Sequence, residues 1–260
     1  GLEHTDILGT SVEEIAREKA GIIKEGIPLI TATEEEKAFS VFKEICKQKN
    51  CKIFRVNEDV KYARKSFDLS GQTFDVNVFG EELKNLFIPL LGEYQIINAA
   101  TAIAAVRLLK EKIDEESIKE GLKKVRWPGR LEVVQKEPLV VLDCAKDPLA
   151  MRKLVDCIKK DFNYRKLTAV VSISKDKKID LMIQRLAEVV DQFVFTRHKV
   201  QGRAVETEIL RKEAEKYFKS FIATEDVQEA VREAIKSSAK EDMVLVTGSV
   251  FTVGEAREIW

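Results

Sequence analysis

Residues that can contact an anion follow three predicted strands in the second half of the chain. Asp143 ends the apolar strand 139–142, and Lys146 lies in the loop after it. The charged run Ser174–Lys178 follows a second strand, and Thr247–Ser249 follows a third. Ligands of open parallel sheets bind at the carboxyl ends of the strands, and a Ser beside the amides of a helix N-terminus suits an anion. We therefore predict one site here, although a charged run alone is usually a solvated loop.

Arg130 lies in the stretch Trp127–Glu132, where Pro128 and Gly129 interrupt a helical pattern. A guanidinium group at this junction could neutralise a phosphate. We expect a cleft between two domains at this point, with Arg130 and Asp143 in it.

Three residues of the first half have side chains that suit a metal or nucleotide site. His4 lies between Glu3 and Asp6, which fits a metal or phosphate contact, although an isolated loop histidine is more often exposed and idle. Lys19 ends a predicted helix, where most lysines complement the helix dipole and a buried one can react. Asn98 could bind a base edge through its amide or could cap a tightly packed helix.

The composition is that of a globular chain with balanced charge. Of 260 residues, 45% are hydrophobic and 34% are charged, and 44 basic residues match 44 acidic ones. This balance does not favour a nucleic-acid-binding surface. The chain contains no run of about 18 apolar residues, so no membrane span is predicted. The four cysteines form no Cys-x-x-Cys pair, which favours free thiols in a reducing compartment. We expect a cytoplasmic protein that binds neither nucleic acid nor a membrane.

The predicted elements change their order at the junction. Before it, Ser11 and Glu14 predict a capping box at the start of the first helix, period-two alternation predicts a hairpin over 67–78, and a strand is predicted over 86–91. After it, strands and helices alternate to the end of the chain. This alternation indicates an α/β fold with a mostly parallel sheet and helices on both faces.

Five stretches resemble, in the same order, motifs of the folylpolyglutamate synthase/dihydrofolate synthase branch of the Mur ligase family. They are Gly1–Gly9, Ile15–Lys24, Gly92–Ala100, Trp127–Glu132 and Val246–Glu255. The resemblance implies that residues 1–131 are the C-terminal part of the central ATPase domain. It also implies that residues 132–260 are a Rossmann-like C-terminal glutamate-ligase domain.

The resemblance implies an ATP-dependent ligase that joins L-glutamate to the carboxylate of a reduced folate or dihydropteroate, with Mg²⁺. The carboxylate is phosphorylated first, and the amine of glutamate then displaces phosphate. The first step requires that the charge on the transferring phosphoryl group be neutralised, and the second requires that the amine be held in place. By the same resemblance, His4 is a magnesium ligand, and Lys19 is carbamylated so that an anion faces the metal. Asn98 is the adenine contact, and Arg130 and Asp143 contact the ATP phosphates across the cleft.

On the glutamate side, the resemblance assigns Ser249 to substrate binding. The family pattern Asp-Gly-Ala-His-Asn-Pro is changed here, because Asp143–Pro148 reads Asp-Cys-Ala-Lys-Asp-Pro. Lys146 would replace the His as a catalytic group, supplying positive charge but different proton chemistry. Glu3 also stands where the family has Asp.

The family's P-loop pattern Gly-x-x-x-x-Gly-Lys-Ser/Thr occurs nowhere in the chain. We therefore expect a fragment of the enzyme, with an upstream P-loop segment or subunit as a partner. Two other readings stay open. The chain could be a non-catalytic binding or regulatory module that kept the fold, which the altered 143–148 segment favours. It could also be a Mur-type ligase for another carboxylic acid.

Overall fold

A computed structural model of the chain describes residues 11–109, 113–200, 202–218 and 221–260. The chain divides into two compact units, with the second formed by Arg126–Trp260 together with the short segment Leu90–Gly92. The predicted division between residues 131 and 132 stays a prediction. Within the described ranges, no helix is both long enough and apolar enough to cross a bilayer.

In the residues that the structure describes, the first unit combines four helices with two small sheets. Its helices are α1 (Val12–Lys19), α2 (Glu36–Gln48), α3 (Glu93–Arg107) and α4 (Glu115–Lys124), and a 3-10 turn at Ala20–Ile22 follows α1. Its strands are β1 (Leu29–Thr31), β2 (Ile53–Arg55), β3 (Val60–Asp68), β4 (Gly71–Val78) and β5 (Glu81–Ile88). Strands β1 and β2 pair in parallel, and β3, β4 and β5 form an antiparallel sheet in that order.

A local sequence signal explains where helix α1 begins. The predicted capping box is present, because Ser11 Oγ accepts the Glu14 N–H at 3.1 Å and Glu14 Oε2 accepts the Ser11 N–H at 3.2 Å. The antiparallel strands are longer than the spacing predicted. Strand β3 begins at Val60 rather than near 67, and β5 begins at Glu81 rather than 86. The charged residues that hid these extensions lie on the exposed face of the sheet.

The second unit is built on a six-stranded sheet. Its strands are β6 (Glu132–Lys136), β7 (Leu139–Leu142), β8 (Leu167–Val171), β9 (Gln192–Phe195), β10 (Ile222–Ala223) and β11 (Met243–Thr247). Their order is β10-β9-β8-β11-β7-β6, and every neighbouring pair is parallel except β6 with β7. The predicted α/β fold with a mostly parallel sheet is confirmed.

The helices of the second unit follow the strands in alternation. They are α5 (Pro148–Asp161), α6 (Ile179–Leu186), α7 (Thr207–Ala214), α8 (Val227–Ser237) and α9 (Val250–Arg257). Helices α8 and α9 bury their apolar residues against alternate positions of the strands, such as Val140, Val170 and Val244. Because the strands are covered and parallel, the loops after β7, β8, β9 and β11 meet at one edge of the sheet.

Candidate functional site

Arg130 is exposed on a turn whose neighbouring backbone groups are held in place. Gly129 is buried with φ of 70°, and Leu131 is 1% exposed with φ of 45°. The Gly129 carbonyl accepts the Cys144 N–H at 2.9 Å, and Leu131 donates its N–H to Asp143 Oδ2 at 2.9 Å. The turn is therefore fixed on both sides of Arg130, while the guanidinium group faces solvent.

Gly129 is required by space as well as by conformation. A Cβ atom at this position would lie 2.7 Å from Cys144 Sγ and 2.9 Å from Val253 Cγ1. Real Cβ contacts are not that short, so a side chain here would push the turn away from the loop after β7 and from α9.

Asp143 is buried at the end of β7, with 4% of its surface exposed. Its Oδ2 accepts the Leu131 N–H, and its Oδ1 accepts the Ala145 N–H at 2.8 Å. Burial raises the pKa of Asp143 to about 6, against the two backbone donors and the charge of Arg130, which lower it. Through these two hydrogen bonds, the carboxylate connects the Arg130 turn to the loop after β7.

Glu132 holds the same turn through a second set of hydrogen bonds. Its Oε2 accepts the Gly129 N–H at 2.8 Å, and both of its carboxylate oxygens accept Arg257 Nε, at 3.1 and 3.0 Å. Arg257 lies at the end of α9, so this ion pair joins the turn to that helix. No role was assigned to Glu132 from the sequence. The signal that could have identified it is local: Glu132 is an acidic residue three positions after the turn glycine Gly129.

Ser249 is the N-cap of α9 and is 3% exposed. Its Oγ accepts the Phe251 N–H at 3.2 Å. The preceding Gly248 has φ of 104°, and a Cβ there would lie 2.6 Å from the Ser172 carbonyl oxygen. The Gly248 N–H donates to Ala145 O at 3.2 Å, so the loop after β11 contacts the loop after β7.

Lys146 is half-buried in the loop that enters α5. The helix begins with Asp147, whose Oδ1 accepts the Leu149 and Ala150 N–H groups, both at 2.9 Å. The neighbouring Cys144 packs against the Arg130 turn, and burial together with Asp143 raises its pKa to about 11. Its thiol is therefore protonated at neutral pH.

The charged run after β8 is partly folded onto the loop after β9. The Lys175 N–H donates to Arg203 O at 2.9 Å, and Ser174 forms an antiparallel bridge with Ala204. Lys177 pairs with Asp176 at 2.7 Å. This run is thus more ordered than a solvated loop.

His198, for which the sequence suggested no role, is 3% exposed after β9. Neither ring nitrogen has a hydrogen-bond partner within the described residues. Its ring lies 5.1 Å from that of Phe251, and burial lowers its pKa, with Arg203 and Arg197 acting in the same direction. A neutral imidazole therefore lies beside the first turn of α9.

Two of the predicted site residues of the first unit lie on its helices. Lys19 is exposed at the last position of α1, and Asn98 is exposed on α3, where its Nδ2 donates to Gln95 Oε1 at 2.9 Å. His4 lies outside the described residues. A cavity of about 600 Å³ on the three-stranded sheet is lined by residues such as Lys61 and Asp75, and by none of the predicted site residues.

The described residues differ in how well they fit ATP and a metal. Among them, no group of three or more His, Cys, Asp or Glu side chains is placed to hold a metal ion. An exposed arginine on a fixed turn, in contrast, fits a phosphate group. The exposed Asn98 amide fits the edge of an adenine base, which offers one donor and one acceptor.

Two family models match the chain. The Mur ligase middle domain matches residues 1–106, and the Mur ligase glutamate ligase domain matches residues 129–250. The dihydrofolate synthase/folylpolyglutamate synthase of Bacillus subtilis is 31% identical over 262 residues, which are 99% of this chain and 60% of that protein.

Solved structures with the same fold also cover the whole chain. The complex of E. coli FolC with DHPP and ADP matches with a TM-score of 0.87 and 29% identity, over 100% of this chain and 59% of that one. The Yersinia pestis folylpolyglutamate synthase/dihydrofolate synthase complexed with AMPPNP and Mn ion matches with a TM-score of 0.84 and 28% identity, again over 100% and 59%. The chain thus spans about three fifths of the length of these relatives.

Proposed function

Because the chain belongs to the Mur ligase family, we propose that its protein ligates L-glutamate to the carboxylate of a reduced folate or dihydropteroate at the expense of ATP. The observation that carries the proposal is the exposed Arg130 on a turn held by Asp143 and Glu132. A guanidinium group whose backbone is already ordered loses less entropy when it binds a phosphate. The names of the relatives support folate as the acid and ATP as the nucleotide.

The proposed reaction has two steps. A carboxylate oxygen of the folate attacks the γ-phosphorus of ATP, which forms an acyl phosphate and releases ADP. The amine of glutamate then attacks the acyl carbon, and phosphate leaves as the amide forms. Charge on the transferring phosphoryl group must be neutralised in the first step, and we assign this role to Arg130.

The other site residues keep the roles that the sequence suggested, as proposals. Asn98 contacts adenine, Asp143 contacts the ATP phosphates with Arg130, and Ser249 binds on the glutamate side. Lys146 supplies positive charge beside Asp143, in place of the histidine of the family motif. Mg²⁺ binds together with ATP, and His4 and a carbamylated Lys19 are its proposed protein ligands.

We also propose the division into the C-terminal part of an ATPase domain over 1–131 and a glutamate-ligase domain over 132–260. The 260 residues contain no P-loop pattern, so the proposal includes an upstream segment or subunit that supplies one. A cytoplasmic location is proposed as well, and it is supported by the four free cysteines, which suit a reducing compartment.

A second candidate is a binding or regulatory module without catalysis, which the Cys144 and Lys146 replacements favour. A third is a Mur-type ligase for another carboxylic acid. Mass spectrometry of a reduced folate and of dihydropteroate, each incubated with the protein at its natural length, MgATP and L-glutamate, separates the three. A product heavier by one glutamyl unit supports the proposal, and its absence when ATP is omitted is the control.

The remaining outcomes discriminate between the alternatives. ADP release with neither acid, but with an unrelated carboxylic acid, would favour a ligase of different specificity. Folate or nucleotide binding without any ADP release would favour the non-catalytic module.

A further inference from the structure

The turn that carries Arg130 is connected to the distant helix α9 at two points. Arg257, 125 positions after Glu132 in the chain, donates Nε to both oxygens of the Glu132 carboxylate. Val253, one helical turn earlier, lies against Gly129, where a Cβ would approach it to 2.9 Å. Glu132 in turn accepts the Gly129 N–H, so a single carboxylate links helix, turn backbone and strand β6.

We propose that Glu132 and Arg257 are positioning residues, which hold the Arg130 turn so that its guanidinium group meets the phosphates of a nucleoside triphosphate. The proposal rests on the function proposed above, since it gives these two residues their effect through Arg130. The proposed role involves no contact between either residue and the nucleotide. Their part is to keep the backbone on both sides of Arg130 in one conformation.

The ion pair is poorly suited to a purely stabilising role. The side chain of Glu132 is 22% exposed and that of Arg257 is 48% exposed. Pairs that face water to this extent contribute little to folding, because solvent screens their attraction. The Gly129 N–H is different, because it belongs to a buried residue and would lack a partner without Glu132.

Order in the turn has a direct effect on binding. An arginine on a mobile turn loses backbone freedom when it binds an anion, and this loss weakens the complex. Left-handed backbone at Leu131, a non-glycine residue, needs outside support, whereas Gly129 adopts its positive φ without strain and depends on the Glu132 contact for its order. Asp143 supports the Leu131 end, and Glu132 with Arg257 supports the Gly129 end.

The ion pair also connects two proposed contacts through helix α9. Helix α9 carries Arg257 near its C-terminal end and begins at Ser249, which is proposed for the glutamate side. A shift of the helix would therefore move the Arg130 turn with it.

The test compares three variants with a matched control in the protein at its natural length. Glu132→Ala removes both contacts, Arg257→Ala removes the ion pair alone, and Arg257→Lys keeps the charge without the planar guanidinium group. The control is Arg211→Ala, because Arg211 is 47% exposed and pairs with Glu208 on the surface of α7, away from the turn. Hydrogen exchange at the Gly129 amide and calorimetric titration with Mg-AMPPNP are measured for each protein.

We expect Glu132→Ala to raise the Kd for Mg-AMPPNP about tenfold, the equivalent of one charge-assisted hydrogen bond. Arg257→Ala should raise it less, and Arg257→Lys should restore part of the loss. Exchange at the Gly129 amide should accelerate in the same order, whereas Arg211→Ala should change neither quantity.

Three results would overturn the proposal, and they are distinguishable from one another. If the wild-type protein binds Mg-AMPPNP and the Glu132 and Arg257 variants bind it equally well, the positioning role is wrong and the proposed function stands. If the wild-type protein binds no Mg-AMPPNP, the proposed function fails and the positioning role fails with it. Unchanged exchange at Gly129 in Glu132→Ala would also rule out the positioning role, whatever the affinity.

Discussion

The carboxylate of Asp143 accepts the backbone N–H of Leu131 at 2.9 Å, although the two residues are 12 positions apart in the chain. Leu131 is a buried non-glycine residue in left-handed backbone, a conformation that L-residues rarely adopt without support. Asp143 supplies that support with one oxygen and holds the Ala145 N–H with the other. Its position therefore shapes the Arg130 turn.

The buried Asp143 predicts a specific dependence of stability on pH. Its pKa in the folded protein is about 6, and the unfolded value is about 3.9. The folded state thus holds the proton more tightly, so the contribution is fully present below about pH 4 and is lost as the pH rises through 6. Between these limits, the free energy of unfolding should fall by on the order of 3 kcal/mol relative to Asp143→Asn.

Urea unfolding of both proteins at several pH values between 4 and 7 measures this difference. Gln184→Asn is the control, because Gln184 is exposed on α6 and neither amide titrates, so its difference from wild type should not depend on pH. A flat difference for Asp143→Asn as well would contradict a raised pKa.

Replacing Arg130 should remove function and leave the fold intact. In Arg130→Ala the guanidinium group is lost from an exposed position, so the free energy of unfolding should change by no more than about 0.5 kcal/mol. If Arg130 neutralises the phosphoryl charge as proposed, ATP turnover with folate and glutamate should be abolished. Arg152→Ala, at an exposed position of α5, is the control and should keep full turnover. An unchanged rate in Arg130→Ala would remove Arg130 from the site.

Two substitutions at Ser249 separate its capping role from substrate binding. Ser249→Ala removes the acceptor of the Phe251 N–H and should cost about 1 kcal/mol of stability. Ser249→Gly keeps an acceptable N-cap and adds no volume at this buried position, so it should be nearly as stable as the wild type. If Ser249 also binds glutamate, both variants should raise the KM for glutamate. A normal KM in the stable Gly variant would leave Ser249 with the capping role alone.

Carbamylation of Lys19 can be detected without an activity assay. Incubation with Mg²⁺ and ¹³C-labelled bicarbonate should produce a carbamate carbon signal in the NMR spectrum, because the modification converts the ammonium cation into an anion able to face the metal. The signal should disappear in Lys19→Arg and persist in Lys24→Arg, which changes another exposed lysine five positions away. A wild-type spectrum without a signal at saturating bicarbonate would contradict the modification.

Much of the second unit was predictable because its signals are local. The alternation of apolar strands with amphipathic helices indicated the parallel sheet, and strand ends located Asp143 and Ser249 at the edge where ligands bind. The first unit was harder to predict. The strands that begin at Val60 and Glu81 carry charged residues on their exposed face, and this hides them from a search for apolar alternation.

The amino-acid sequence by itself determined the α/β class, the order of the elements and the family motif that contains Arg130, because these follow from residue spacing along the chain. Only the tertiary structure decided that both oxygens of Asp143 bind backbone amides, and that Glu132 is held by Arg257. Contacts between residues this far apart depend on how strand and helix pack, and packing leaves no periodic signal in the sequence.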